Sequence, residues 1–451
     1  MSINKILIAN RGEIACRIIR TCRALGIDTV AVYSEADEDA LHVAMADEAM
    51  PIGPAPAAKS YLVHENLISA AQTSGADAIH PGYGFLAESP RFAEAVVSAG
   101  LIWIGPRAKT IEDMGDKERA RDVAKASHVP VLPGSPRFPT GDVSGIERTA
   151  EEVGYPLLVK AAAGGGGIGM RMVENSETLL TQVESTQTQA ERSFGDGTIY
   201  LESFIPNARH IEVQIFGFGD GGGVHLFDRD CSVQRRFQKV IEEAPAASIP
   251  ERERRAMRNA ALELVRHERY RGAGTVEFIY DCDTDHFYFL EMNTRIQVEH
   301  AVTEMITGID LVAWQIALAD GSFEPPAQDD IMVEGNAIEC RIYAERPEKN
   351  FLPSPGEITG FNLPKPTDAL RIDTGVQEGD KITPYYDPMI AKVIASGGDR
   401  DAAIEAMVAA LDKIEIEGPS TNVKFLSAVF RDPKFRASPP TTGYIEAGTY
   451  K

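Results

Sequence analysis

A chain of 451 residues, 43% apolar and 25% charged, has the composition of a globular protein and the length of about three domains rather than one core. Its 67 acidic side chains outnumber 45 basic ones, and the net charge of -22 repels phosphate backbones and anionic lipid. That sets nucleic-acid and membrane roles aside but leaves room for a local basic pocket.

No apolar run approaches the ~20 residues of a membrane span. Arg11 and Glu13 interrupt the N-terminal apolar stretch too early for a signal peptide. The cysteines (Cys16, Cys22, Cys231, Cys282 and Cys340) are odd in number and lack CxxC spacing, the pattern of free thiols in a reducing cytoplasm. In chain order, KILIAN (5–10) predicts a buried strand, then a helix whose Ala15, Ile18, Ile19 and Cys22 recur at helical spacing. TVAVYS (29–34) predicts the next strand, and ADAIHPGYGF (76–85) and LIWIGP (101–106) each join an apolar run to a Gly/Pro turn. This alternation predicts a parallel α/β layer over roughly the first 115 residues, with ligands at the carboxyl ends of its strands, where HPGYGF falls. From about 130 to 205 the sequence predicts a small, mobile, β-rich subdomain: a turn-rich stretch, then strand, glycine loop and strand in YPLLVKAAAGGGGIGMRMV. IYLESFI and HIEVQIFGFGDGGGVHLFDRD (210–230) predict long strands with a hairpin at GFGDGGG. FEPPAQDD (323–330) predicts a linker, and the remainder mixes strands with a helix carrying the stripe Ile404, Met407, Val408 and Leu411.

The segment Gly164–Gly169, GGGGIG, is formally GxGxxG. A dinucleotide fingerprint must open a helix, whereas MRMVENS reads as strand and turn, and a Walker A loop needs GK[ST] after its glycines. A hairpin lid remains, whose glycines let backbone N–H groups approach phosphates while Lys160 adds charge. The bland alternative, a flexible turn, is disfavoured by the entropy of four consecutive glycines.

In FYFLEMN (287–293), Glu291 and Asn293 are two apart and share a strand face, and GTVEFIY (274–280) brings Glu277 on a second strand. Such oxygens suit Mg²⁺ on ATP phosphates, or else a salt-bridged sheet edge. Arg295, Gln297 and Glu299 follow at alternate positions, and RDCSVQRRFQKVIEEAP (229–245) clusters Arg235, Arg236 and Lys239. The mixture suits a small planar anion held against a γ-phosphate, with a solvated charged face as the alternative.

These residues resemble the biotin carboxylase family of ATP-grasp enzymes. The resemblance runs in order through IANRGEIA (8–15), HPGYGFLAE (80–88), GPRAKTIEDMGDK (105–117), KAAAGGGGIGMR (160–171), RHIEVQ (209–214), RDCSVQRR (229–236), EEAPA (242–246), GAGTVEF (272–278), EMNTRIQVEH (291–300), TEMITGIDLV (303–312), ECRIYAE (339–345), FLPSPG (351–356) and YYDPMIAK (385–392).

It implies an α/β and α+β fold: a Rossmann-like pre-ATP-grasp domain (1–115), an ATP-grasp core (116–330) with its lid at about 131–205, and a C-terminal α+β domain (331–451). It implies ATP at Lys117, Lys160, Gly166, Gly167, the hinge residues Glu202, Ser203, Phe204 and Ile205, His210 and Gln234. It implies Mg²⁺ or Mn²⁺ at Glu277, Glu291 and Asn293, and bicarbonate at Lys239, Arg295, Gln297, Val298 and Glu299. Biotin would meet Arg341 at its ureido oxygen, with Tyr83 beside it. Catalysis would fall to Arg295, Glu299, Lys239 and Arg341, with Glu299 as general base on bicarbonate and a carboxyphosphate-like intermediate feeding CO₂ to biotin. The implied partners are a biotin carboxyl carrier protein or domain, a carboxyltransferase subunit and a second copy in a homodimer. No MKM biotin-attachment motif occurs, so biotin is expected on another protein or free. The final acceptor stays open among acetyl-CoA, propionyl-CoA, another acyl-CoA and pyruvate, with IYAERPEKNFLPSPG leaning toward acyl-CoA carboxylases.

Two positions depart from the family. Phe237 stands where histidine or asparagine is frequent, and Ile168 where a basic residue is usual. One lost charged hydrogen bond would cost roughly 1.5–3 kcal/mol of ATP binding. These changes motivate a second reading, a nucleotide-binding regulatory member without turnover. A third, an ATP-grasp ligase with another acceptor, conflicts with HPGYGF and ECRIYAE. Ala301 replaces a usual proline, with little expected effect.

Overall fold

Short β-branched runs near the N-terminus build a five-stranded parallel sheet in the computed structural model, which describes residues 2–162, 169–235 and 238–448. Its strands β1 (Lys5–Ile8), β2 (Asp28–Ser34), β3 (Glu48–Gly53), β4 (Ala78–His80) and β5 (Ile102–Trp103) lie in the order β3-β2-β1-β4-β5. Helix α1 (Gly12–Leu25) buries the expected stripe and stops at Gly26, φ 72°, whose N–H turns back to the carbonyls of Cys22 and Arg23. HPGYGF follows β4. Gly82 there has φ 63°, and a Cβ on it would sit 3.0 Å from both Asn10 and Ile14, so glycine lets this turn lie on the start of α1.

Residues 130–205 differ from expectation. A three-stranded antiparallel sheet is present, with β6 (Leu157–Ala161) between β7 (Met170–Val173) and β8 (Ile199–Ser203). The helices Ile146–Val153 and Ser176–Phe194 pack on it, so the unit is α+β rather than β-rich. The buried stripe of the longer helix is Leu179, Val183, Thr186 and Ala190; the polar Thr186 within it masks the helical period in sequence. The antiparallel pairing of β6 with β7 fits a hairpin and not a dinucleotide fingerprint. The loop itself, with Gly166, Gly167 and Ile168, lies outside the described residues, as do Arg236 and Phe237.

The largest layer is an eight-stranded antiparallel sheet. It contains β9 (Ala208–Phe218), β10 (Gly223–Arg235), β11 (Gln238–Ala244), β12 (Arg271–Asp281), β13 (His286–Asn293) and β14 (Asn336–Tyr343). The order is β13-β12-β9-β10-β11-β14, continued by the strands Met389–Gly397 and Leu370–Thr374. The sheet thus passes unbroken from the middle of the chain into its last third, which places Arg341 in the same layer as Glu277 and Lys239. The helix Arg400–Leu411 covers its far end with Ile404, Met407 and Leu411. Among the described residues no single helix is long and apolar enough to cross a membrane, and all five cysteines are free.

Candidate active site

Three carboxylates stand abreast on the large sheet. Glu291 of β13 pairs in register with Glu277 of β12, and Glu277 with Glu212 of β9. Direct cross-strand neighbours have side chains ~5 Å apart, so buried like charges here demand cations. Lys239 of β11 answers them, donating to Glu212 (2.6 Å), Glu277 (2.7 Å) and Glu299 (2.7 Å). Burial works to lower its pKa, but the three carboxylates outweigh burial and keep the ammonium charged. Arg229, wholly buried, bonds Glu212, Gln214, Thr275, Gln297 and Thr303, so its five donors are all used.

Glu299 is the hinge of the charge network. One oxygen accepts from Lys239 and the other from Arg341 at 3.0 Å. Burial alone would raise its pKa; Lys239 and Arg341 instead hold it well below the usual carboxylate range, so it stands ionised. Arg341 also lies 2.7 Å from Glu242, whose pKa burial pushes up to about 7 despite Arg341. A raised folded-state pKa means that the fold binds this proton more tightly than the unfolded chain does. The resulting stability is full below the ordinary pKa near 4.5 and is lost as pH rises through about 7. Glu242→Gln is therefore expected to flatten the fall in urea midpoint between about pH 5 and about pH 8. An equal fall in parent and variant contradicts this.

Asn293 donates to Glu277 (2.8 Å), as does Gln297 (2.8 Å). Arg295 bridges Asn293 (2.9 Å) and Glu88 (2.9 Å). Among the described residues the Glu291 side chain makes no hydrogen bond or ion pair of its own, and burial and Glu277 raise its pKa against the pull of Lys117, His210 and Lys239. A divalent ion relieves two buried carboxylates set side by side, and the hard oxygens of Glu277, Glu291 and Asn293 fit Mg²⁺ or Mn²⁺.

His210 Nε2 lies 2.8 Å from Glu277, and the Gln234 amide donates to its Nδ1 (2.7 Å), which puts the ring proton on Nε2. Burial opposes protonation of His210, but Glu277 shifts its pKa upward. Lys160 pairs with Glu202 of β8, which Arg121 also meets at 2.9 Å. The Ser203 hydroxyl donates to the Val153 carbonyl (2.8 Å) and the Phe204 N–H to that of Pro156 (3.1 Å). Phe204 and Ile205 form the irregular link from β8 to β9. Lys117 opens the helix Lys117–Ala126 and lines a cavity of about 320 Å³ with Arg121, Ala162 and Tyr200. A second cavity, about 500 Å³, is lined by Tyr83, Arg295, Val298 and Arg341.

Some expectations fail. Arg235 does not join Lys239: it pairs with Glu345 and stacks 4.8 Å over Phe351, since Gln234 is the register partner of Lys239. Arg295, Gln297 and Glu299, at alternate positions in sequence, lie on an irregular segment before the helix His300–Thr307. Sequence reasoning missed Glu212, Arg229, Glu88 and Glu242. Glu212 had a usable signal, lying two residues beyond His210 on a predicted strand. The total burial of Arg229 had none.

Residues 2–111 match the family described as biotin carboxylase, N-terminal domain, residues 116–323 the carbamoyl-phosphate synthase L chain, ATP binding domain, and residues 339–447 the biotin carboxylase C-terminal domain. Biotin carboxylase 1 of Bacillus subtilis is 48% identical over 447 residues, 98% of each chain. The mitochondrial methylcrotonoyl-CoA carboxylase subunit alpha of Rattus norvegicus is 48% identical over 98% of this chain but 62% of its own length. The chain spans 60% to 63% of the methylcrotonoyl-CoA carboxylase subunits that it matches. The biotin carboxylase domain dimer of Hydrogenobacter thermophilus 2-oxoglutarate carboxylase, solved with MgADP, ADP and bicarbonate, gives a TM-score of 0.94 at 44% identity, covering 100% of this chain and 99% of that one. Biotin carboxylase from Campylobacter jejuni, solved as a β-γ-ATP complex, gives 0.94 at 43% over 99% of both. The chain therefore belongs to the biotin carboxylase family and has that family's three-domain architecture.

Proposed function

We propose that this chain carboxylates biotin borne on a carrier protein, using ATP and bicarbonate, as the first half-reaction of a biotin-dependent carboxylase. The observation that carries the reading is Glu299, held ionised between Lys239, which faces the carboxylate row, and Arg341, which lines the cavity beside Tyr83. A nucleotide site alone does not require a base shared with a second cavity.

ATP would be bound by Lys117, Lys160, the hinge Glu202–Ile205, His210 and Gln234, together with Gly166 and Gly167, which lie outside the described residues. Lys239, Arg295, Gln297 and Val298 orient bicarbonate, and Glu299 takes its proton. The freed oxygen attacks the γ-phosphorus as ADP leaves, and the lysines neutralise the developing charge. The carboxyphosphate-like product yields CO₂ and phosphate. The released phosphate, or a nearby base, takes the ureido proton of biotin, Arg341 stabilises the enolate-like ureido oxygen, and the nitrogen attacks CO₂. Glu277, Glu291 and Asn293 would hold Mg²⁺ or Mn²⁺, which would supply charge neutralisation at the phosphates. Closure of the lid, about 131–205, keeps water from the intermediate.

The division into 1–115, 116–330 and 331–451 belongs to the same reading. So do a biotin carboxyl carrier, a carboxyltransferase subunit, a homodimer like that of the Hydrogenobacter relative, an acyl-CoA acceptor and a reducing cytoplasm, which suits five free thiols. The joined Lys239–Glu299–Arg341 network weighs against a regulatory member without turnover. EDTA is expected to abolish ADP release, and Mg²⁺ or Mn²⁺ to restore it. Glu291→Gln should raise the Mg²⁺ needed for half-maximal rate about 10- to 100-fold. ADP release indifferent to chelation would refute the metal assignment.

A further inference from the structure

A lysine with no solvent exposure is costly unless its charge is paired. Lys392 is such a residue, and in the register of the strand Met389–Gly397 it lies directly opposite Arg341 of β14. Opposed residues share a sheet face, so Lys392 stands beside the arginine of the second cavity. Its ammonium donates to the carbonyl oxygen of Val298 at 2.6 Å and lies 3.3 Å from Glu13 and 3.9 Å from Asp373. The Glu13 oxygen that faces Lys392 also accepts the hydroxyl proton of Tyr83. Burial opposes the charge on Lys392, but Glu13, Glu339 and Asp373 outweigh it.

These contacts join distant parts of the chain. Glu13 is on α1, Tyr83 is in the HPGYGF turn, Val298 precedes Glu299, and Lys392 belongs to YYDPMIAK. The packing at Glu13 is tight: a Cβ on Gly375 would come within 2.2 Å of the Glu13 nitrogen. Glu13 therefore has little room to move, and one ammonium fixes both the backbone beside Glu299 and, through Glu13, the Tyr83 ring.

We propose that Lys392 and Glu13 are positioning residues: their buried pair sets the Val298 segment, which holds bicarbonate, and Tyr83, which faces biotin, from one point, so that the two substrate sites are aligned together. This rests on the function proposed above. A pair that served the fold alone would move stability without moving substrate affinities.

The test is steady-state ADP release by the full chain, with bicarbonate, biotin and ATP varied in turn. Lys392→Met, Glu13→Gln and the double variant are compared with Tyr83→Phe. The double variant removes both charges of the pair together, so neither Glu13 nor Lys392 is left alone in the interior, and Asp373 keeps Arg20 and Arg371. Lys392→Met and the double variant are expected to raise the KM values for bicarbonate and for biotin together, each about tenfold or more, while KM for ATP stays within about twofold. Tyr83→Phe is expected to raise the biotin value alone. A fall in kcat with all three KM values unchanged, or a rise in only one of the bicarbonate and biotin values, overturns the inference. A parent chain without bicarbonate-dependent ADP release overturns the functional reading, and the inference with it.

Discussion

Glu299→Gln is expected to lower the rate of bicarbonate-dependent ADP release roughly 100- to 10,000-fold, the usual worth of a positioned general base. The substitution preserves shape and removes charge. In the parent, the two carboxylate oxygens accept from Lys239 and Arg341. Glutamine offers one acceptor, and its amide NH₂ must then face one of the two cations. Lys239 keeps Glu212 and Glu277 as partners, so the row that faces the nucleotide remains neutralised. The loss should therefore fall on kcat and leave KM for ATP nearly unchanged. Steady-state ADP release at saturating ATP and bicarbonate reads this directly. A variant within about threefold of the parent would assign the bicarbonate proton to another group.

The second large effect is Arg341→Ala. Stimulation of ADP release by biotin should fall about 100- to 1,000-fold, the usual cost of removing a group aimed at developing negative charge. Stability should fall as well. Arg341 lies against both Glu299 and Glu242, and removing one partner of a buried pair costs about 3–5 kcal/mol. The loss should shrink at acid pH. Glu242 already titrates near about 7, and without Arg341 its protonated form is favoured further, so the penalty for its charge is smallest where it is neutral. Urea denaturation near pH 6 and near pH 8 checks the sign. A larger loss at the lower pH, or biotin stimulation that survives the substitution, contradicts the role given to Arg341.

What was legible in the sequence follows from periodicity. Glu277, Glu291 and Asn293 were found because a strand alternates faces every second residue, and the register then set Glu277 opposite Glu291. Four strands of the N-terminal parallel sheet were legible as short apolar runs ended by turns, whereas the edge strand β3, EAMPIG, has one buried residue and no such run. The helix Ser176–Phe194 was not legible, because Thr186 interrupts its apolar stripe and the glycine-rich flank suggested β-structure. Arg235 was misplaced because adjacent basic residues on a strand point to opposite faces, and composition alone does not say which face meets the site. Lys392 and Glu13 lie in motifs visible from the start, but their meeting with Val298 and Tyr83 joins positions hundreds of residues apart, and only the folded chain brings them together.

The most direct test of the central claim is ADP release from MgATP by the purified chain, with and without bicarbonate and with and without biotin, free or on a biotinylated carrier. Release that requires bicarbonate and rises with biotin is the predicted result. Release indifferent to both, or nucleotide binding without turnover even with the biotinylated carrier present, would contradict it.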